Sequence, residues 1–196
     1  MDTMIDTAGS IIMAGLVMLA VLKMNAALSD AGSDTNVSVI TQSNITAIAN
    51  TITYDFYKIG YRASPAILLA DSNAIVFRAD LEQDGHPDTV HYWVSAPLSG
   101  SGLNPNMRIL YRSVNNGTPT GATLGQTYFN LQYFDSTGAR LNISGADTTN
   151  LSILARIKSI RVAVSVESPN KLMSDSTYAG AYWEEYISPK NLRTLM

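Results

Sequence analysis

The densest run of ionisable side chains is Asp80-Leu81-Glu82-Gln83-Asp84-Gly85-His86-Pro87-Asp88, with acidic residues at alternating positions around a glycine. Calcium takes about six to eight oxygen ligands, and loops of the EF-hand kind supply them at such spacings with a glycine at the sharp bend. Asp80, Glu82, Asp84 and Asp88 are therefore candidate calcium ligands, and calcium is the one cofactor the sequence raises. The match is incomplete: His91 stands where a bidentate Glu would close the loop, and Glu82 where Asp or Asn is usual. The plainer reading is a hairpin turn at Asp84-Gly85 with solvated carboxylates, joining strands over 74–80 and 89–95. His86 and His91 are the only histidines, and without cysteine a transition-metal site would need both plus carboxylates. No Gly-X-Ser-X-Gly elbow, no glycine-rich phosphate loop before a helix and no His-Glu-X-X-His occurs in the chain. Glu184-Glu185 is the remaining acid pair, but neighbours on a strand point to opposite faces and cannot serve one substrate. The expectation is a protein that is not an enzyme.

The elements that would carry these residues follow from composition and periodicity. At 196 residues the chain fits one domain plus an appended helix. Hydrophobic residues make up 46% of it, enough for a core, while charged residues at 15% fall well short of the usual share, so Ser, Thr, Asn and Gln must cover the surface. A net charge of -3 supplies no basic face for phosphates, which excludes nucleic acid as the main partner. With no cysteine there is no disulfide framework.

Sixteen uncharged, mostly apolar residues lie between Asp6 and Lys23. That is just short of the roughly 17 to 25 a spanning helix needs, but Lys23 can lift its ammonium along its own stem and extend the stretch to 7–28. A cleaved secretory signal and a buried core helix compete with a spanning or filament-core helix. A signal normally opens on Lys or Arg, whereas here Asp2 and Asp6 precede the apolar run. Gly9, Ser10, Ala14 and Gly15 are small residues of the kind that allow close packing between helices. Residues 29–36, with Gly32 and several capping side chains, are expected to bend the helix. Beyond them Ile45, Ile48, Ile52, Phe56 and Ile59 recur at spacings of three and four, which places all five on one face for packing on the rest of the chain. The helix should close at Gly60, ahead of Pro65.

From residue 66 the period changes to two, and strands are predicted over 74–80, 89–95, 108–113, 129–135, 157–166 and 182–187. Turn chemistry separates them, as at Asn115-Asn116-Gly117 and Ser136-Thr137-Gly138. The expected fold is α+β: a helix and stalk over 1–60, apolar then amphipathic, packed on an antiparallel β-rich head over 61–196. Aromatics gather around Tyr54 to Tyr61, Tyr92-Trp93, Tyr128 to Phe134 and Tyr178 to Tyr186. They read as core, with an aromatic groove for carbohydrate or peptide as the alternative.

This order of elements resembles the type IV pilin and type II secretion pseudopilin superfamily. The segments Ala79-Asp80-Leu81-Glu82-Gln83-Asp84-Gly85, Asp88-Thr89-Val90-His91-Tyr92, Leu110-Tyr111-Arg112-Ser113-Val114-Asn115 and Phe129-Asn130-Leu131-Gln132-Tyr133-Phe134-Asp135-Ser136-Thr137-Gly138 look like those of large minor pilins and J-type pseudopilins. Residues 157–166 and the closing Ile187-Ser188-Pro189-Lys190-Asn191-Leu192 do so too. The resemblance implies a structural subunit that polymerises with like subunits, as a homo- or hetero-oligomer, through its apolar helix. It implies a membrane-anchored or filamentous location in a bacterial cell envelope. It also implies that an acid near the helix start meets a neighbouring subunit's N-terminal ammonium, and Asp6 is the closest match by position, with Asp2 second. The alternative is a monomeric envelope receptor or adhesin whose helix is only an anchor. The family's basic leader and Phe-Thr-Leu-Ile-Glu-like start have no counterpart in Met1-Asp2-Thr3-Met4-Ile5-Asp6, so Met1 is either a processed start or the first residue of a relative inserted without that processing.

Overall fold

A computed structural model describes residues 2–98 and 104–193. Helix α1 runs without a break over Asp2–Tyr57. The helix is not interrupted at 29–36, where the sequence predicts loosening or a bend. Within that stretch the Thr35 hydroxyl donates to the Ala31 carbonyl at 2.8 Å, and just beyond it the Ser38 hydroxyl donates to the Asp34 carbonyl at 2.9 Å. Thr35 thus bonds within its own helix, Asp34 is held by backbone N–H groups of the head, and one Gly costs only about 1 kcal/mol against Ala. The α-helix ends at Tyr57, two residues before Ile59, and tightens through bonds from Lys58 N–H to Asp55 O and from Ile59 N–H to Phe56 O. Gly60 then takes φ +76 and donates its N–H to Arg78 O. A Cβ there would lie 3.0 Å from the Cβ of Ala66, so the close passage also demands glycine.

Among the described residues eight antiparallel strands follow: β1 Ile67–Ala70, β2 Ala74–Ala79, β3 Asp88–Val94, β4 Arg108–Val114, β5 Thr120–Phe134, β6 Arg140–Leu141, β7 Ser159–Lys171 and β8 Tyr178–Ile187. They form one sheet in the order β1-β2-β3-β4-β5-β7-β8, with β6 paired to β5. The short helices α2 Leu151–Leu154 and α3 Lys190–Arg193 pad its edge. This is the α+β fold expected from the sequence: a long N-terminal helix laid on an antiparallel sheet.

The alternation of β7, broken only by the buried Ala163 within 159–168, sets the two faces. Ile160, Val162, Val164 and Val166 point toward α1 and are buried, whereas Arg161 and Ser165 stay partly exposed on the far side. Registered neighbours carry the division outward, Val162 opposite Leu131 and Glu185, Arg161 opposite Gln132 and Tyr186. Ile45, Ile48, Ile52, Phe56 and Ile59 are all buried between helix and sheet. Phe56 meets Phe77 and Tyr92 edge-on, each with ring centroids 5.7 Å apart. Such pairs contribute about 0.5–1.5 kcal/mol beyond area burial.

Candidate functional site

The second half of α1 is bound to the head over its whole length, whereas residues 6–33 are exposed throughout. This contrast locates the candidate site on the free half of the helix and on the joints that tie it to the head. Asp6, Gly9, Ser10, Ala14, Gly15 and Lys23 all lie on the free half. Met1 and the side chain of Asp2 lie outside the described residues. A Cβ built on Gly9, Gly15 or Gly32 meets nothing within 4 Å. Ile11, Met13, Leu16, Val17, Leu19 and Leu22 each keep more than half of their surface exposed. The most apolar window has a mean hydropathy of 2.1, and none of it is buried against the protein. The helix is thus long and apolar enough to cross a membrane, and it differs from a soluble core helix in having no protein cover.

The joints are polar and differ in burial, from partly exposed at Asp34 and exposed at Tyr57 to fully buried at Asp55. Nearest the free half, the Asp34 carboxylate accepts the backbone N–H of Met173 at 2.8 Å and of Ser174 at 3.0 Å, from the turn between β7 and β8. These donors, that of Met173 foremost, hold the Asp34 carboxyl below its ordinary value. Farther along, the Asn44 amide donates to Leu124 O at 3.2 Å. Glu185 accepts the Thr53 hydroxyl at 3.1 Å and the Tyr57 hydroxyl at 3.3 Å. At the deepest joint Asp55, with 2% of its side chain exposed, receives Arg112 Nε at 2.6 Å, Arg112 Nη2 at 3.2 Å and the Tyr92 hydroxyl at 2.6 Å. Burial, reinforced by the Asp55 carboxylate, pushes the Tyr92 phenol far above its ordinary range, so it stays a donor. An Arg fork with a hydroxyl satisfies the carboxylate on both oxygens, which is what a charge at this depth requires.

Glu184 and Glu185 point to opposite faces as expected. Glu185 reaches α1, while Glu184 pairs with Arg161 on the outer face and accepts the Tyr182 hydroxyl. The Arg161 guanidinium holds the Glu184 carboxyl below its ordinary value. The aromatics divide by face as well. Phe56, Tyr92, Phe129 and Tyr133 are core, as expected, but Tyr128, Tyr182 and Tyr186 are 47%, 58% and 59% exposed on the outer face. The period of two that buries one set necessarily presents the other to solvent.

The acidic loop between β2 and β3 fits the turn reading. Asp80 is fully buried, its Oδ1 accepting Asp84 N–H and its Oδ2 accepting Gly85 N–H, each at 3.1 Å. Asp88 accepts Leu81 N–H at 3.1 Å and the Asn115 amide at 2.7 Å, and Asp84 accepts His86 N–H at 2.8 Å. Glu82 is exposed. The carboxylates are turned inward to order the loop, and among the described residues no group of three His, Asp or Glu side chains converges as a metal site would. The donor set does not fit calcium as arranged. His91 packs against Trp93 at a tilt of 31°, with ring centroids 4.2 Å apart, a same-strand contact on the outer face.

The sequence reading missed the polar joints. A signal for one was present: Asp55 lies three residues after Ile52 and four before Ile59, on the buried stripe itself. Its partners come from β3 and β4, a pairing that spacing along the chain does not disclose. No protein-family model matches the chain, and no curated protein matches it.

Proposed function

We propose that the protein is a structural subunit of a pilin-like envelope filament, which polymerises with like subunits through the free half of α1. The observation that carries this reading is a single unbroken helix, one half of which is exposed and mostly apolar while the other half is held on a folded head. Subunits of this form can bury their apolar halves against one another, or in a bilayer before assembly, and display their heads outward. The role is mechanical and not catalytic. The polar joints from Asp34 to Tyr57 span about 35 Å of helix at 1.5 Å per residue, enough to pass force from helix to head without a hinge. Asp6 is the acid placed to meet a neighbour's terminal ammonium, since a carboxylate among packed helices is costly unless paired.

A second reading, a membrane-anchored monomeric receptor or adhesin, is favoured by the exposed tyrosines of the outer face. Electron microscopy of native envelope material separates the two. Regular helical filaments support assembly; dispersed single particles in detergent overturn it in favour of the receptor.

A further inference from the structure

The turn joining β7 to β8 is the part of the head closest to the free half of α1. Its contact at Asp34 is the first burial along the helix, with residues 6–33 exposed below it. The turn is a rigid one. Leu172 N–H donates to Thr177 O at 2.7 Å, Ser176 N–H to Leu172 O at 3.2 Å, and Asp175 accepts both the N–H and the hydroxyl of Thr177. At its tip Met173 is 70% exposed, beside a partly exposed Leu172. The Lys171 ammonium lies 5.8 Å from the centre of the Tyr178 ring. Tyr and Lys are residue types enriched where proteins meet lipid headgroups, and Met173 adds an exposed apolar side chain beside them.

Position along the helix decides what this tip faces. The apolar run ends at Leu28, and six residues at about 1.5 Å each put Asp34 roughly 9 Å farther along the axis. The headgroup layer on each side of a bilayer is about 5–7 Å thick. A span ending near Leu28 therefore sets Asp34 roughly 2–4 Å outside that layer, with the turn beside it and the layer within reach of a methionine side chain. We propose that the β7–β8 turn is a foot on the bilayer surface: Met173 enters the headgroup layer of the membrane that holds α1, and Asp34 fixes the turn at that height. The inference rests on the membrane-anchored reading of the free helix half. Asp30, Asp34 and Asp175 outnumber Lys171 at this level, so the contact is apolar and forms on uncharged lipid surfaces.

The absence of cysteine allows the test to be made on the full chain in phosphatidylcholine vesicles with single labelled cysteines. Met173→Cys, Leu19→Cys and Glu82→Cys would each carry an environment-sensitive dye, with quenchers in water, at the lipid headgroup or deep in the acyl chain. The dye at 173 is expected to lose emission to the headgroup quencher, the dye at 19 to the deep quencher, and the dye at 82 only to the aqueous one. Adding Asp34→Ala should return the dye at 173 to aqueous quenching while leaving position 19 unchanged. Purely aqueous quenching at 173 with deep quenching at 19 overturns the foot and leaves the anchor standing. Aqueous quenching at both positions overturns the anchor, and the foot with it. Headgroup quenching that persists in Asp34→Ala removes Asp34 from its assigned part.

Discussion

Asp55 shares a helical stripe with Ile48, Ile52 and Ile59, and so the chain carries a carboxylate into its own core. Removing it leaves Arg112 facing that core without its partner. Asp55→Ala should destabilise the protein by about 3 kcal/mol, the low end for a broken buried pair because the Arg112 side chain retains 32% exposure. The double variant Asp55→Leu with Arg112→Met should recover most of this, as apolar replacement of both partners commonly does. Urea unfolding in detergent micelles reads both, and a double variant no better than the single would show that the pair does more than satisfy itself. Asp34 makes a contrasting prediction, because its carboxyl is held below its ordinary value of 3.8. A depressed folded-state value means that the clamp contributes fully above that ordinary value and is lost as pH falls through the lower folded one. Asp175 and Lys171 also face the turn, so the assignment needs a control. A nitroxide at position 173 should be immobile at neutral pH and loosen in acid, whereas in Asp34→Asn it should be loose at both.

Among the elements, those with a clean period were legible in the sequence and those without it were not. The stripe from Ile45 to Ile59 and the alternation in β7 each recur often enough to fix a face, and both are buried as read. β1 is four residues of continuous apolar chain, which shows no alternation at all. The first half of β5, with Gly121 and Gly125 and few bulky residues, lacks the β-branched signature, and its pairing comes from β4 and β7. Gly125 has a positional reason to be there. It takes φ +85 where β5 shifts register against β4, between Ala122 and Gln126, and a Cβ on it would lie 2.3 Å from Glu167 O, a backbone atom that cannot swing aside. Gly138 takes φ +80 in open space. Both Gly→Ala variants should lose roughly 1–2 kcal/mol to the left-handed conformation. Gly125→Ala should lose more through the clash, at about 2–4 °C of Tm per kcal/mol. Equal melting shifts for the two would mean that the β5 backbone gives way and that the bulge is not held by this contact.

In the molecule as a whole, stability and the proposed work lie on different halves of one helix, and this separation can be tested by substitution. Arg112, Tyr92 and Glu185 make the joints, yet nothing in their spacing announces it, because three strands distant in sequence converge on one helix face. The free half was legible for the opposite reason: residues 6–33 are exposed, and what their composition implies is left unburied by the head. Ala14 and Gly15 are exposed there, and nothing within 4 Å would meet a Cβ on Gly15. Enlarging either leaves the head untouched. Gly15→Leu should even favour the helix, by roughly 0.8–1 kcal/mol on intrinsic propensity, and Ala14→Leu should be close to neutral. Close approach between helices depends on small side chains, so the same bulk would force neighbouring subunits apart. Both variants are therefore expected to insert into membranes and melt like the parent while failing to form filaments under the microscope. Normal filaments from Gly15→Leu and Ala14→Leu together would end the case for packing through these positions. A fall in melting temperature would instead show that the free half contacts the head after all.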